Sequence, residues 1–303
     1  MPNEDKMECP ANVVKRCKLA ILDGVPLMDM MQKNWEQVKL FQALPNDLLV
    51  ASYPKAGTTW LLETVDMILN DGDIEKCQRA PIYDRIPFLE EAGSASFPTG
   101  LEQIAKMTPP RIIKTHLPFH VVPKSFWEQG CKAIYIARNM KDNLVSYYHF
   151  HRMCREMPEP GTWEEFFMKF LNGEVVWGSW DEHVIGWWEE RSSHRILYLF
   201  YEDMKEDPKR EIIKVMQFLG KELPERIMDK IIHHTSFDVM KENPMTNHST
   251  LPNCILDNSV SSFMRKGIVG DWKNHLTVAQ NEVCDKQYSS KMADSTLQFR
   301  FIL

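Results

Sequence analysis

No stretch of the 303-residue chain approaches the ~18–20 uninterrupted apolar residues that a membrane span needs. The first eighteen residues are polar and hold no apolar segment, so a secretory leader is not expected. An excess of positive charge is missing too. Lys and Arg number 36 against 42 Asp and Glu, a net charge of −6, which argues against a general nucleic-acid binder but leaves room for a local basic pocket. The seven cysteines (Cys9, Cys17, Cys77, Cys131, Cys154, Cys254 and Cys284) are odd in number, and no pair has C-x-x-C spacing. A disulfide scaffold and a zinc cluster both fit poorly, and a reducing cytosol fits best. Low-complexity tracts, internal repeats and Pro/Gly/Ser linkers are also absent. What remains is 44% hydrophobic and 26% charged residues, enough apolar side chain for a sizeable core. One domain is expected over 34–303, behind an irregular lead at 1–33.

Apolar runs and helical periodicities alternate along that domain. Asp47-Leu-Leu-Val-Ala-Ser-Tyr53 reads as a buried strand, broken by Pro54-Lys-Ala-Gly57. Thr58 to Leu69 reads as a helix, with Trp60, Leu61, Thr64, Val65, Ile68 and Leu69 at helical spacing. Further strands are expected at 111–114, 132–137 and 195–200. Helices are expected at 142–151, 163–171, 183–191, 209–219 and 225–233, with Thr162 and Glu165 at capping-box spacing. Such alternation implies an α/β fold with a mostly parallel central sheet flanked by helices. The stretch 243–272 is long, polar and weakly patterned, which is more often functional than idle.

Four segments carry the chemistry. In Ser52-Tyr-Pro-Lys-Ala-Gly-Thr-Thr-Trp60 a strand enters a tight turn and a helix leaves it. Unpaired N–H groups and the helix dipole suit a phosphate there, and Gly57 permits close approach. A plain capped turn remains open as the alternative. The segment is not a Walker A loop: that pattern would put Thr58 at the lysine, whereas the lysine here is Lys55. The second segment, Lys114-Thr-His116, ends an apolar run where α/β sheets bind ligands, and it places a cation beside a proton acceptor. In the third, Arg138 closes a strand and Ser146 lies two turns along the next helix, a grip for a second phosphate or else a surface ion pair. The fourth, Phe263-Met-Arg-Lys-Gly-Ile-Val-Gly-Asp-Trp272, reads as an anion clamp or a solvated basic turn. His149, His151, His233 and His234 are not expected to hold metal, because no Cys or carboxylate cluster completes a site. The Trp and Met residues are read as core.

Together these segments resemble the cytosolic sulfotransferase family, from about Asn34 to the C-terminus. Tyr53 to Trp60 is similar to the family's 5′-phosphosulfate loop, Lys114 to His116 to its K-T-H segment, and Arg138 to Ser146 to its 3′-phosphate region. Arg265 to Trp272 matches its R-K-G-x-x-G-D-W signature in full. Tyr147-Tyr-His-Phe150, Gly161-Thr-Trp-Glu-Glu165 and Phe200-Tyr-Glu-Asp203 point to the phenol-preferring family 1 and its 1C branch.

The resemblance implies a P-loop-kinase-like loop and a donor, 3′-phosphoadenosine 5′-phosphosulfate (PAPS), that leaves as 3′-phosphoadenosine 5′-phosphate (PAP). It implies Lys55, Ala56, Gly57, Thr58, Thr59 and Lys114 at the phosphosulfate. Arg138, Ser146, Arg265, Lys266 and Gly267 would hold the 3′-phosphate. Trp60, Tyr201, Thr235, Phe237, Phe263 and Met264 would border the nucleotide, and His116 would be the base. Phe88, Phe150, Cys154, His248 and Ile255 would shape a slot for a small phenol. Lys273, Thr277, Val278 and Glu282 match the family's K-x-x-x-T-V-x-x-x-E dimer motif, although Thr277 and Gln280 also have the spacing of a capped helix start. No metal, nucleic acid or membrane enters this reading. His248 and Ile255 replace aromatic residues often found there, leaving the acceptor's identity open. The competing readings are a nucleotide or small-molecule kinase and a catalytically silent nucleotide binder.

Overall fold

The computed structural model describes residues 15–94 and 97–303, so Cys9 and the first fourteen residues of the expected lead lie outside it. The described part of that lead is not irregular. Strands β1 (Leu19–Leu22) and β2 (Val25–Met28) pair antiparallel around Asp23-Gly24. Both turn residues have positive φ (46° and 81°), as a two-residue type I′ hairpin requires. Val25 and Leu27 bury themselves in the main core, so the hairpin is packed onto the domain.

The central sheet follows the expected pattern. Strands β3 (Leu48–Ser52), β4 (Ile112–Thr115), β5 (Lys132–Ala137) and β6 (Ile196–Phe200) are all parallel, in the order β4-β3-β5-β6. Side chains alternate across it, as a two-residue period demands. Leu49, Ala51, Ala133 and Tyr135 enter a core on one face; Leu48, Val50, Ile134 and Ile136 enter a second core on the other. Helices cover both faces. They are α1 (Thr58–Leu69), α2 (Met140–Met153), α3 (Trp163–Leu171), α4 (Trp180–Glu189), α5 (Tyr201–Glu206), α6 (Pro208–Leu219), α7 (Glu225–His234) and α8 (Phe237–Glu242), with α9 (Val278–Lys291) near the C-terminus. Thr162 and Glu165 form the capping box expected of them at α3, and Thr277 and Gln280 form one at α9.

Cys17, Cys77, Cys131, Cys154 and Cys284 are free thiols, whereas Cys254 is disulfide-bonded, a departure from the all-thiol expectation at that position. Strand order reverses beside β3: β4 lies to one side and β5 to the other. Ligands of open α/β sheets bind at the carboxyl ends of strands at such a reversal, and three of the four segments singled out above converge there.

Candidate functional site

The segment leaving β3 is built to expose backbone donors. Lys55 and Gly57 both have positive φ (67° and 102°). For lysine this conformation costs on the order of 1–3 kcal/mol and persists only where the surroundings enforce it. Here Tyr53 is fully buried and donates its hydroxyl to the Gly178 carbonyl (2.9 Å), while Ala56 is fully buried beneath the turn. Gly57 is the N-cap of α1 and supplies no side-chain cap, so the first-turn N–H groups are left for an anion. A Cβ on Gly57 would stand 2.7 Å from the Tyr201 ring, a space that only glycine leaves open.

β4 delivers Lys114 and, one residue past its end, His116. The Nδ1 of His116 lies 2.8 Å from the Ser52 carbonyl. A carbonyl only accepts, so Nδ1 carries the proton and Nε2 keeps its lone pair. Burial, reinforced by the Lys114 ammonium, holds the imidazolium form well out of reach. The fully buried Glu90 carboxyl accepts the His116 backbone N–H (2.6 Å), the Thr115 hydroxyl (2.8 Å) and the Trp177 indole N–H (3.2 Å). The Trp177 ring packs 5.1 Å from the His116 ring.

Arg138 follows directly on the end of β5 and donates to the carbonyls of Ile268 (3.1 Å) and Lys55 (3.4 Å), with its guanidinium 4.4 Å over the Tyr201 ring. Asn139 caps α2, which carries Ser146. The late basic loop is tied to the same helix: the Gly270 and Trp272 N–H groups donate to the Asp142 carboxylate (2.8 and 3.0 Å), and Arg265 pairs with Asp271 at 2.6 Å. Gly267 (φ 64°) has no room for a Cβ, which would meet Phe237 at 2.1 Å.

One cleft of about 350 Å³ receives this machinery. Every donor-side and acceptor-side residue expected from the sequence lines it, except Ala56, which supports it from below. The cleft is strongly cationic at one end. Burial, with Lys114, Arg138 and Arg265 adding repulsion, pulls the Lys55 ammonium down to about 7. Its Nζ sits 3.9 Å from the Phe263 ring centre and 4.5 Å from that of Phe150. Lys114, also lowered by burial, lies 4.2 Å over Phe88. The Nε atoms of Arg138 and Arg265 are buried donors without a partner. Such orphans are costly unless a ligand accepts from them. Two orphaned guanidinium donors, an uncapped helix start and two glycine-only approaches fit a nucleotide carrying phosphate groups at two positions.

The other end is apolar. Phe88 and Phe150 line it beside the two lysines, and Cys154, His248 and Ile255 line it as well. Burial pushes the Cys154 thiol up to about 11, so it stays protonated.

Sequence reasoning missed several lining residues. Trp177 is in the core, as expected, but it also lines the cleft, from a left-handed backbone (φ 65°) that no local pattern announces. Glu91 and Glu156 also line the cleft, and burial lifts both carboxyls, Glu156 to about 7. Glu90, which supports His116 from behind the cleft wall, carried no signal in the sequence: the bridge that brings neighbouring Phe88 to Lys114 forms only on folding. The four dimer-motif residues lie outside the cleft, and Val278 is 77% exposed. Among the described residues no group of three or more His, Cys, Asp or Glu is placed to hold a metal ion, and no helix is long and apolar enough to cross a membrane. His234 instead pairs with buried Glu63 (3.0 Å).

A family model described as "Sulfotransferase domain" matches residues 45–296. Human sulfotransferase 1C2 is 56% identical to this chain over 293 residues, covering 97% of this chain and 99% of its own. Retinol dehydratase, solved in complex with androsterone and inactive cofactor PAP, superposes with a TM-score of 0.84 at 25% identity, covering 91% of this chain and 89% of that one. A mouse sulfotransferase complexed with PAP superposes at 0.74 with 33% identity, covering 92% and 96%.

Proposed function

The chain belongs to family 1 of the cytosolic sulfotransferases, and on that premise we propose that it moves the sulfuryl group of PAPS to the hydroxyl of small phenolic acceptors. The observation that carries this reading is the meeting of a lone-pair imidazole (His116), two lysines (Lys55 and Lys114) and an uncapped helix start in one cleft. When bound, PAPS supplies an electrophilic sulfur on a phosphate leaving group. Lys55, Lys114, Thr58 and Thr59 would hold the phosphosulfate end. Arg138, Ser146, Arg265, Lys266 and Gly267 would hold the 3′-phosphate. Trp60, Tyr201, Thr235, Phe237 and Met264 would border the adenine.

A free phenol has a pKa of about 10 and gives up its proton reluctantly. His116 Nε2 accepts that proton as the phenol oxygen bonds to sulfur and the sulfur–oxygen bond to phosphate breaks. Lys55 and Lys114 meet the negative charge that develops on the departing oxygen, where a preorganised cation lowers the barrier. Phe88 and Phe150 grip the aryl ring by their faces. The catalytic unit runs over 34–303, with 1–33 as a lead whose hairpin is packed onto it and brings Met28 to the cleft, in a cytosolic setting. Lys273, Thr277, Val278 and Glu282 form a two-fold homodimer contact, an assignment supported by the exposure of Val278 at the capped start of α9.

The test is transfer of label from PAPS to 4-nitrophenol in excess chelator, together with thermal stabilisation by PAP and by ATP with Mg²⁺. Transfer without metal and stabilisation by PAP alone are expected, because a ligand bound only to the native state raises its apparent stability. Strict dependence on Mg²⁺, with stabilisation by ATP, would favour the kinase reading.

A further inference from the structure

The reaction described above uses one imidazole of the cleft, and a second faces the same space. His248 lines the cleft together with His116 and Lys114. Its backbone is left-handed (φ 61°), a conformation for which histidine is one of the less unusual residues. The ring is stacked on Phe263, with centroids 4.0 Å apart and planes 29° from parallel, and it stands 5.6 Å from the Tyr83 ring. Tyr83 is in turn anchored to the Thr250 hydroxyl (2.8 Å). The segment before it is pinned by Thr246, fully buried, whose hydroxyl donates to the Met240 carbonyl (2.8 Å).

The tautomer follows from the partner. Nδ1 of His248 lies 3.1 Å from the Thr246 carbonyl, so it carries the proton and Nε2 keeps the lone pair. Nε2 makes no hydrogen bond among the described residues. The Phe263 ring on which His248 stacks also carries Lys55 Nζ, 3.9 Å from its centre, so His248 and that lysine belong to the same wall of the cleft. Burial, with Lys114 and Lys55 adding repulsion, pulls the imidazolium pKa down to about 3, so the ring remains a neutral acceptor near neutral pH. His116 is in the same state, with Nδ1–H committed to a carbonyl and Nε2 open. The cleft therefore presents two neutral imidazole acceptors, where a simple phenol brings one donor.

Resting on the sulfotransfer reading, we propose that His248 selects acceptors that carry a second hydroxyl on the aryl framework. His248 Nε2 receives the hydroxyl that is not transferred, while His116 takes the proton of the one that is. An acceptor without that second donor leaves a buried lone pair unpaired, the situation in which binding sites discriminate most strongly.

The test compares kcat/KM for 2-naphthol with that for 2,3-, 2,6- and 2,7-dihydroxynaphthalene, a series that samples the spacing between the hydroxyls. At least one diol should be preferred by the native enzyme. Its advantage over 2-naphthol should fall about fivefold to tenfold in His248→Phe, which keeps the stack on Phe263 but loses the acceptor atom. His248→Asn, which tolerates the left-handed backbone but withdraws its acceptor from the cleft, should lose the same advantage; it decides the matter if the Phe variant does not fold. Stabilisation by PAP checks that the donor site of each variant stands. A native enzyme that prefers 2-naphthol to every diol, or a ratio unchanged in both variants, overturns the role of His248 alone. Absence of transfer to 2-naphthol and all three diols overturns the sulfotransfer reading and this inference with it.

Discussion

At the scale of single residues, protonation states decide most of what the cleft does. His116→Ala removes the lone pair that Ser52 orients, and the kcat for 4-nitrophenol should fall by roughly 10²–10⁴-fold, the usual worth of a general base. Stabilisation by PAP should persist, since the role proposed for His116 is toward the acceptor; near-normal turnover would remove it as the base. Lys55 makes a thermodynamic prediction. In the empty cleft its ammonium titrates at about 7, lowered by burial and three neighbouring cations. A bound anion favours the charged form and raises that value again. Binding of PAP should therefore take up close to one proton at pH 8, where the free lysine is mostly neutral, and less as the pH falls below 7. Affinity should accordingly weaken as the pH rises above 7. Calorimetry in two buffers of different ionisation enthalpy measures the uptake. Lys55→Arg should abolish it, because the guanidinium stays charged throughout. Equal uptake by both proteins would assign the proton to another group.

At the scale of elements, the strand–turn–helix from β3 to α1 holds the donor site in shape. Gly57→Ala would force a Cβ to 2.7 Å from the Tyr201 ring at a φ of 102°. A lower melting temperature and a loss of PAP-induced stabilisation are expected, the strain alone costing on the order of 1–3 kcal/mol. A variant with native melting and native PAP response would show that the turn can relax. This element was legible in the sequence because its apolar strand, breaker and helical period follow one another without overlap. The same holds for the other three sheet strands and for α3, whose capping box is written in Thr162 and Glu165. The β1–β2 hairpin was also written there, in Asp23-Gly24, but its strands are only four residues long and β1 alternates weakly. Trp177 was not legible. A tryptophan amid apolar neighbours reads as core, and its place against His116 depends on a left-handed backbone and on Glu90, 87 residues away in sequence. Glu91 and Glu156 escaped for a similar reason, since two acids distant in sequence share a wall only after folding.

At the scale of the whole molecule, assembly is the open property with a direct handle. The start of α9 exposes Val278, and Lys273 and Glu282 carry opposite charges on either side of it along the chain. Val278→Glu should convert a dimer to monomer in sedimentation velocity, because burying an unpaired carboxylate in the contact is costly. The contact is short, so the native dimer should also dissociate on dilution. An unchanged profile would place the interface elsewhere. The parallel order of the sheet bears on how the chain is made. β3 is the first of the four strands to leave the ribosome, yet it ends up inside, with Leu48 facing Ile112 on one side and Lys132 on the other. At roughly 5–20 residues per second, the wait from β3 to β5 lasts roughly 4–17 s. Through that interval a strand that is buried at every position in the finished protein lacks at least one of its two permanent neighbours, since β4 is made only shortly before β5. A ribosome-stalled chain ending before residue 132 should thus be protease-sensitive and bound by chaperones, whereas one long enough to expose β6 should be neither.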